Sequence, residues 1–190
     1  MQQPLRRRLQ PEARKREIVE AAERLLQSRG ALVRVEDVVR EAGVAKGTFF
    51  LYFPSWDDLL ATVRDRLVAE FDETYPLPTE VDGPIDWPAV IDWQAAAYLD
   101  FAAARQGIGQ ALFHSDFAGR RPLAQNGVVR LAAIVRAGQE AGAFGPVDPE
   151  PTARLVFAAI DEAARAIAGG DDRDATLAAL QTLLRRALAP

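Results

Sequence analysis

The stretch that most constrains this chain runs from Val35 to Asp58, VEDVVREAGVAKGTFFLYFPSWDD. Its spacing predicts a short helix, a tight turn through Ala42, Gly43 and Val44, and a second short helix that closes before Pro54. Gly43 suits the left-handed backbone that ends the first helix, and Val44 is placed to fill the corner where two helices cross steeply. Ala45, Lys46, Gly47 and Thr48 follow, small or polar enough to approach base edges, while Phe49 and Phe53 are spaced to anchor the second helix to its own domain. This is the outline of a helix-turn-helix that sets its second helix in a major groove.

The flanking sequence supports that outline. From about Glu12 to Arg29, Ile18, Ala22, Leu25 and Leu26 share one stripe with charges opposite, which predicts an amphipathic helix directly before the motif. Ahead of it lies Pro4-Leu5-Arg6-Arg7-Arg8, and Arg14, Lys15 and Arg16 follow. Such a cationic arm suits phosphates or a minor groove, so Arg6, Arg7, Arg8 and Arg14 are candidate DNA contacts; a solvated tail has the same composition. Charge divides accordingly. Residues 1–53 carry a net +4 and residues 54–190 a net −8, so the overall −4 hides a basic end on an acidic body.

The run AGVAKGTFFLYFPSWDDLL closely resembles the signature of TetR-family transcriptional regulators, with glycine, aromatic and proline positions in register over about residues 12–60. The resemblance implies an all-helical homodimer in which an N-terminal operator-binding domain precedes a divergent domain that binds a small-molecule inducer. It also implies a double-stranded DNA operator built as an inverted repeat, with repression as the default. Carried onto this sequence, the expected DNA contacts are Arg34, Val44, Ala45, Lys46, Gly47, Thr48, Phe50 and Tyr52. Several positions depart from the family pattern. Val33-Arg34 stands where a capping hydroxyl is usual, Ala45 replaces a common Ser, Phe50 a common Tyr, and Trp56 a Lys that pairs with phosphate. These changes remove polar donors and shift the expected burden to Lys46, Thr48, Tyr52 and the arginine arm.

Composition sets outer limits. A chain of 190 residues with 49% hydrophobic content can bury a real core. No apolar run approaches the ~20 residues of a membrane span, and the arginine-rich start lacks the apolar centre of a secretory signal, so a cytoplasmic protein without membrane partners is expected. The absence of cysteine and the single histidine exclude disulfides and thiolate or histidine-rich metal sites. No nucleophile triad, paired-histidine spacing or phosphate-binding glycine loop is present, so neither an enzyme nor a cofactor is expected.

Beyond the motif the pattern stays helical, over about 55–72, 88–104, 106–117, 122–141, 149–168 and 173–188, with Pro and Gly between. The fold class is therefore all-α, with a three-helix DNA-binding domain at 1–54 and a larger ligand-binding and dimerisation domain at 55–190. Leu155, Val156, Ala159, Ile160, Ala163 and Ile167 form one stripe and Leu177, Leu180, Leu184 and Leu188 another, both suited to a four-helix interface between two copies or to the monomer's own core. Trp93, Tyr98, Phe101, Phe113, His114 and Phe117, with Phe71 and Tyr75 on the linking helix, are candidates to line a pocket for a flat apolar ligand. Asp92, Asp100 and Asp116 lean toward a cationic ligand, Arg105 toward an anion. His114 suits ligand bonding or a proton-linked switch as well as an ordinary internal bond. The chain reads as a ligand-released, homodimeric repressor; the competing reading is a helical small-molecule-binding protein whose helix-turn-helix no longer reads DNA.

Overall fold

The computed structural model describes residues 10–78, 84–113, 116–117 and 126–190. Among these residues the protein is a set of nine α-helices without strands: α1 Pro11–Arg29, α2 Val35–Glu41, α3 Lys46–Tyr52, α4 Trp56–Thr74, α5 Trp87–Ala104, α6 Gln106–Phe113, α7 Asn126–Glu140, α8 Pro149–Ala168 and α9 Arg173–Ala187. Arg6, Arg7, Arg8 and His114 lie outside the described residues.

Local chemistry sets the ends. Pro11 and Pro149 open α1 and α8, where the missing N–H has no intrahelical acceptor to lose. Asp86 and Asp172 cap α5 and α9 by accepting from the backbone of Ala89 at 3.0 Å and Ala175 at 2.8 Å. The helix expected over 122–141 is described as 126–140, and that expected over 106–117 ends at Phe113, with a helical pair at 116–117. No helix among the described residues is long and apolar enough to cross a membrane.

The chain divides into two compact units, one of residues 1–67 and 107–122, the other of 68–106 and 123–190. The boundary thus falls inside α4 and not at 54. The reason lies in the buried face of α4, where Leu59, Leu60, Val63 and Leu67 continue the first core for three more turns. In the same unit Ile18, Ala22 and Leu26 of α1, Val38 of α2, Phe49 and Phe53, and Leu112 of α6 are also buried, each 2% exposed or less. At about 1.5–3 kcal/mol per large apolar side chain, this cluster is what holds the short α2 and α3 in place. Gly107 lets α6 approach α1, since a Cβ there would lie 2.2 Å from the Gln27 carbonyl oxygen.

In the second unit α5, α7, α8 and α9 enclose Ile91, Ala95, Leu99, Ile134, Val135, Ile160, Leu184 and Leu188. Apart from Leu155, the two stripes expected to meet a partner copy turn inward. Val156, Ile160, Ala163, Leu180 and Leu184 are buried in the chain's own core, with Ala159, Ile167 and Leu177 packed against it. A stripe of small and aliphatic residues fits any apolar neighbour, and α5 and α7 supply one within the same chain. The outer faces of α8 and α9 instead expose Leu155 (74%) and Leu183 (55%), beside exposed Ala158 and Ala179.

Candidate nucleic-acid interface

The geometry of the reading head follows from a few backbone constraints. α2 ends in a turn at Gly43, whose φ of +60° is costly for any residue with a Cβ, and the Val44 N–H closes the turn on the Val39 carbonyl at 2.9 Å. Ala45 is extended and starts α3 with no side-chain cap. Phe49 and Phe53 are buried with ring centroids 5.7 Å apart and fix α3 to the core, while Lys15 lies over the Phe53 ring at 5.8 Å. With those rings inward, the opposite face of α3 presents Lys46, Gly47, Phe50 and Leu51 to solvent. Val44, Thr48 and Tyr52 are half-buried along its margins, and Ala45 is exposed at its start.

Gly47 is the most informative residue of this face. Its φ is not in the left-handed region, and beyond its chain neighbours and the backbone of its own helix no atom of the described residues lies within 4 Å of where a Cβ would stand. Nothing within the reading head requires a glycine there, although glycine costs a helix about 0.5–1 kcal/mol relative to alanine. An open backbone on an exposed helix is what a close-approaching external surface requires.

Three cations expected to meet DNA are held by other groups. Lys46 Nζ sits 2.6 Å from Glu36 Oε1, and this hydrogen bond keeps the Glu36 carboxyl below the usual carboxylate range. Arg34 donates from one Nη to the carbonyls of Ala31 at 2.7 Å and Val33 at 3.0 Å. Its place as cap is taken by Asp37, whose Oδ2 accepts from the Arg34 N–H at 3.0 Å; that bond is the main cause of a lowered Asp37 pKa. This is half of a capping box, reached without the hydroxyl whose absence stood out in sequence, because a guanidinium has no acceptor for the other half. Arg14 pairs with Glu17 at 2.6 Å. Trp56 is half-buried and walls a cleft of about 280 Å³ in the first unit, with Leu26, Val33, Leu60 and Phe117.

The candidate ligand-binding aromatics that the structure describes are divided between the two units. Phe71 meets Tyr75 at 5.1 Å, Phe101 at 5.2 Å and Tyr98 at 6.2 Å between centroids, and Tyr75 meets Trp93 at 6.1 Å, so these five form one contiguous set in the second unit. Phe113 and Phe117 belong to the first unit, where Phe117 is buried with Arg64 over its ring at 5.6 Å. Of the acids that leaned toward a cationic ligand, Asp92 accepts from Arg185 Nε at 2.6 Å and Asp100 from Arg173 Nε at 3.1 Å, while Asp116 belongs to the first unit. Arg105 is paired with Glu70. Sequence spacing gave no sign of Arg130, which lies over Phe71 at 5.5 Å, donates to Gln94 and Asp72 at 2.9 Å each, and also bonds the Tyr75 carbonyl. Tyr98 donates to Asp161 at 3.3 Å, and burial foremost, then the neighbouring carboxylate, raises its pKa.

A buried-ring helix with an open outer face, set behind a glycine turn and carried on a helical body, defines a helix-turn-helix protein of the all-α class. Comparison with known proteins places it more narrowly. A family model described as bacterial regulatory proteins, tetR family, matches residues 18–63, and a tetracyclin repressor-like C-terminal domain model matches residues 97–190. The regulator EthR of Mycobacterium tuberculosis is 34% identical over 99 residues, which is 50% of this chain and 45% of EthR, so the match spans under half the length of that relative. Among solved structures, a tetR-family regulator from Shewanella sp. PV-4 superposes with a TM-score of 0.72 at 24% identity, covering 93% of this chain and 98% of that one. A tetR-family regulator from Pectobacterium atrosepticum gives 0.72 at 24% identity, covering 97% and 98%. The chain belongs to the tetR family of bacterial regulatory proteins.

Proposed function

We propose that this protein is a homodimeric, ligand-responsive repressor that binds an inverted-repeat operator through α3. The observation that carries this reading is the outer face of α3, where Gly47 leaves backbone open beside Lys46. Phosphate contacts from Lys46 and Arg34, each after exchanging its present partner for phosphate, and from the arginine arm would supply affinity. Leu155 and Leu183, exposed on adjacent helices, support a partner copy that packs on the outer faces of α8 and α9. For the effector, the set Phe71, Tyr75, Trp93, Tyr98 and Phe101 supports a flat, apolar molecule. With its neighbouring charges already paired, that set gives no preference for a cation.

Coupling would run along α4, whose first half belongs to the core that holds α3 and whose last turns carry Phe71. A ligand that displaces Phe71 releases operator only to the extent that it binds the released arrangement more tightly. The testing experiment is selection from a random-sequence DNA pool at near-physiological salt. An enriched inverted repeat is the expected result, and replacement of Lys46 and Thr48 by Ala should abolish its binding. Retention without enrichment, or no retention, would favour the reading of a helical binding protein with a non-reading motif, toward which the internal bonding of Lys46 and Arg34 points.

A further inference from the structure

The exposed strip of α3 has an unusual chemistry for a surface that reads sequence. Lys46, Gly47, Phe50 and Leu51 stand at spacings of one and four residues, which places them side by side on one face. Phe50 is 42% exposed, its ring edge-on to Phe49 at 5.2 Å, and Leu51 is 78% exposed. A single exposed leucine is ordinary. Here two adjacent large apolar side chains flank an open glycine on the helix that bears the motif.

Base identity in a major groove is read through a small set of pairings. Guanine is taken by Arg or Lys, adenine by Asn or Gln, and the cytosine amino group by Asp or Glu; the thymine C5-methyl is the feature that apolar side chains recognise. The strip holds no Arg, Asn, Gln, Asp or Glu, and its one cation stands in the first turn, bonded to Glu36. Thr48 and Tyr52 keep hydroxyls, but both are half-buried at the margins, where a groove-inserted helix meets the phosphate walls.

We infer that Leu51, with Phe50 beside it, is a specificity-determining residue that selects thymine in each operator half-site by contact with the C5-methyl group. This rests on the operator-binding reading and adds to it the kind of sequence the operator contains. The helix then reads through shape and methyl groups, with Lys46 and the backbone at Gly47 setting depth and register.

The test uses the full chain and the site enriched from the random pool. Thymines of each half-site are replaced singly by deoxyuridine, which removes the methyl and leaves every hydrogen-bonding group in place. At the contacted position affinity is expected to fall about fourfold per methyl, and about sixteenfold when both half-sites are changed, as for burial of one carbon's worth of apolar surface. Leu51→Ala, at an exposed position, should leave thermal stability unchanged, weaken the thymine site, and bind thymine and deoxyuridine sites alike, which is the non-additivity of a direct contact. An enriched repeat whose affinity is indifferent to every deoxyuridine, or a deoxyuridine effect that persists in Leu51→Ala, overturns the inference and leaves operator binding standing. A pool with no enriched sequence overturns both.

Discussion

Gly47 and Gly107 offer a paired experiment in which one substitution has opposite consequences. At Gly47 a methyl group meets none of the described residues beyond its chain neighbours and the backbone of its own helix, and the backbone lies outside the left-handed region, so alanine fits without strain. Alanine in place of glycine favours a helix by about 0.5–1 kcal/mol, and less at a second helical position, so Gly47→Ala should raise the melting temperature by about 1–4 °C. If this backbone meets DNA closely, the same methyl is overpacking in a tight interface, at about 1–3 kcal/mol, or about five- to 150-fold in affinity. At Gly107 the methyl would stand 2.2 Å from the Gln27 carbonyl oxygen and 2.7 Å from that of Leu26, both backbone atoms of α1. Gly107→Ala should therefore lower stability by about 1–3 kcal/mol or more, since neither helix can yield by a side-chain rotation. Thermal and denaturant unfolding of the three proteins, with fluorescence anisotropy on the selected operator, reads both quantities. Gly47→Ala with unchanged operator affinity would refute the argument that the open glycine exists for DNA. A destabilised Gly47→Ala would refute the packing on which it rests.

Three further outcomes follow from the same geometry. Glu36→Gln should tighten operator binding by releasing Lys46, and the gain should vanish when Lys46 is already Ala; equal tightening in both backgrounds would mean that bulk charge alone acts. Asp37→Ala should destabilise the protein at neutral pH. Because the folded Asp37 pKa is depressed, its contribution is full above the ordinary carboxylate range and is lost as pH falls through the folded value, so the gap from the parent protein should narrow as pH falls below the ordinary aspartate value of about 3.9; a gap independent of pH would assign the effect to something other than the carboxylate that caps α2. Leu155→Glu with Leu183→Glu should yield folded monomers by analytical ultracentrifugation, whereas an unchanged dimer would place the interface elsewhere.

The parts of this fold legible in sequence were those encoded within a few residues. Proline at a first turn, an Asp cap and a closing glycine fixed α1, α8 and α9 to within a residue, and the Gly43 turn with Phe49 and Phe53 fixed the face of α3. What sequence left open were choices between partners. The stripe from Val156 to Ile167 has the same period whether α5 and α7 or another subunit covers it, and only the fold shows that the chain covers it itself, leaving Leu155 and Leu183 outside. The aromatics of 87–117 look like one group along the chain, yet Gly107 sends α6 against α1 and takes Phe113 and Phe117 with it. Arg185 reaches Asp92 and Arg130 reaches Asp72 across 93 and 58 residues, separations at which periodicity carries no information. Charge pairing of this kind decides what a site can bind. Once Asp92, Asp100 and Arg105 are neutralised within the chain, the acids and bases counted near the aromatics no longer argue for an ionic effector, and the effector proposed above would have to be selected by the rings themselves.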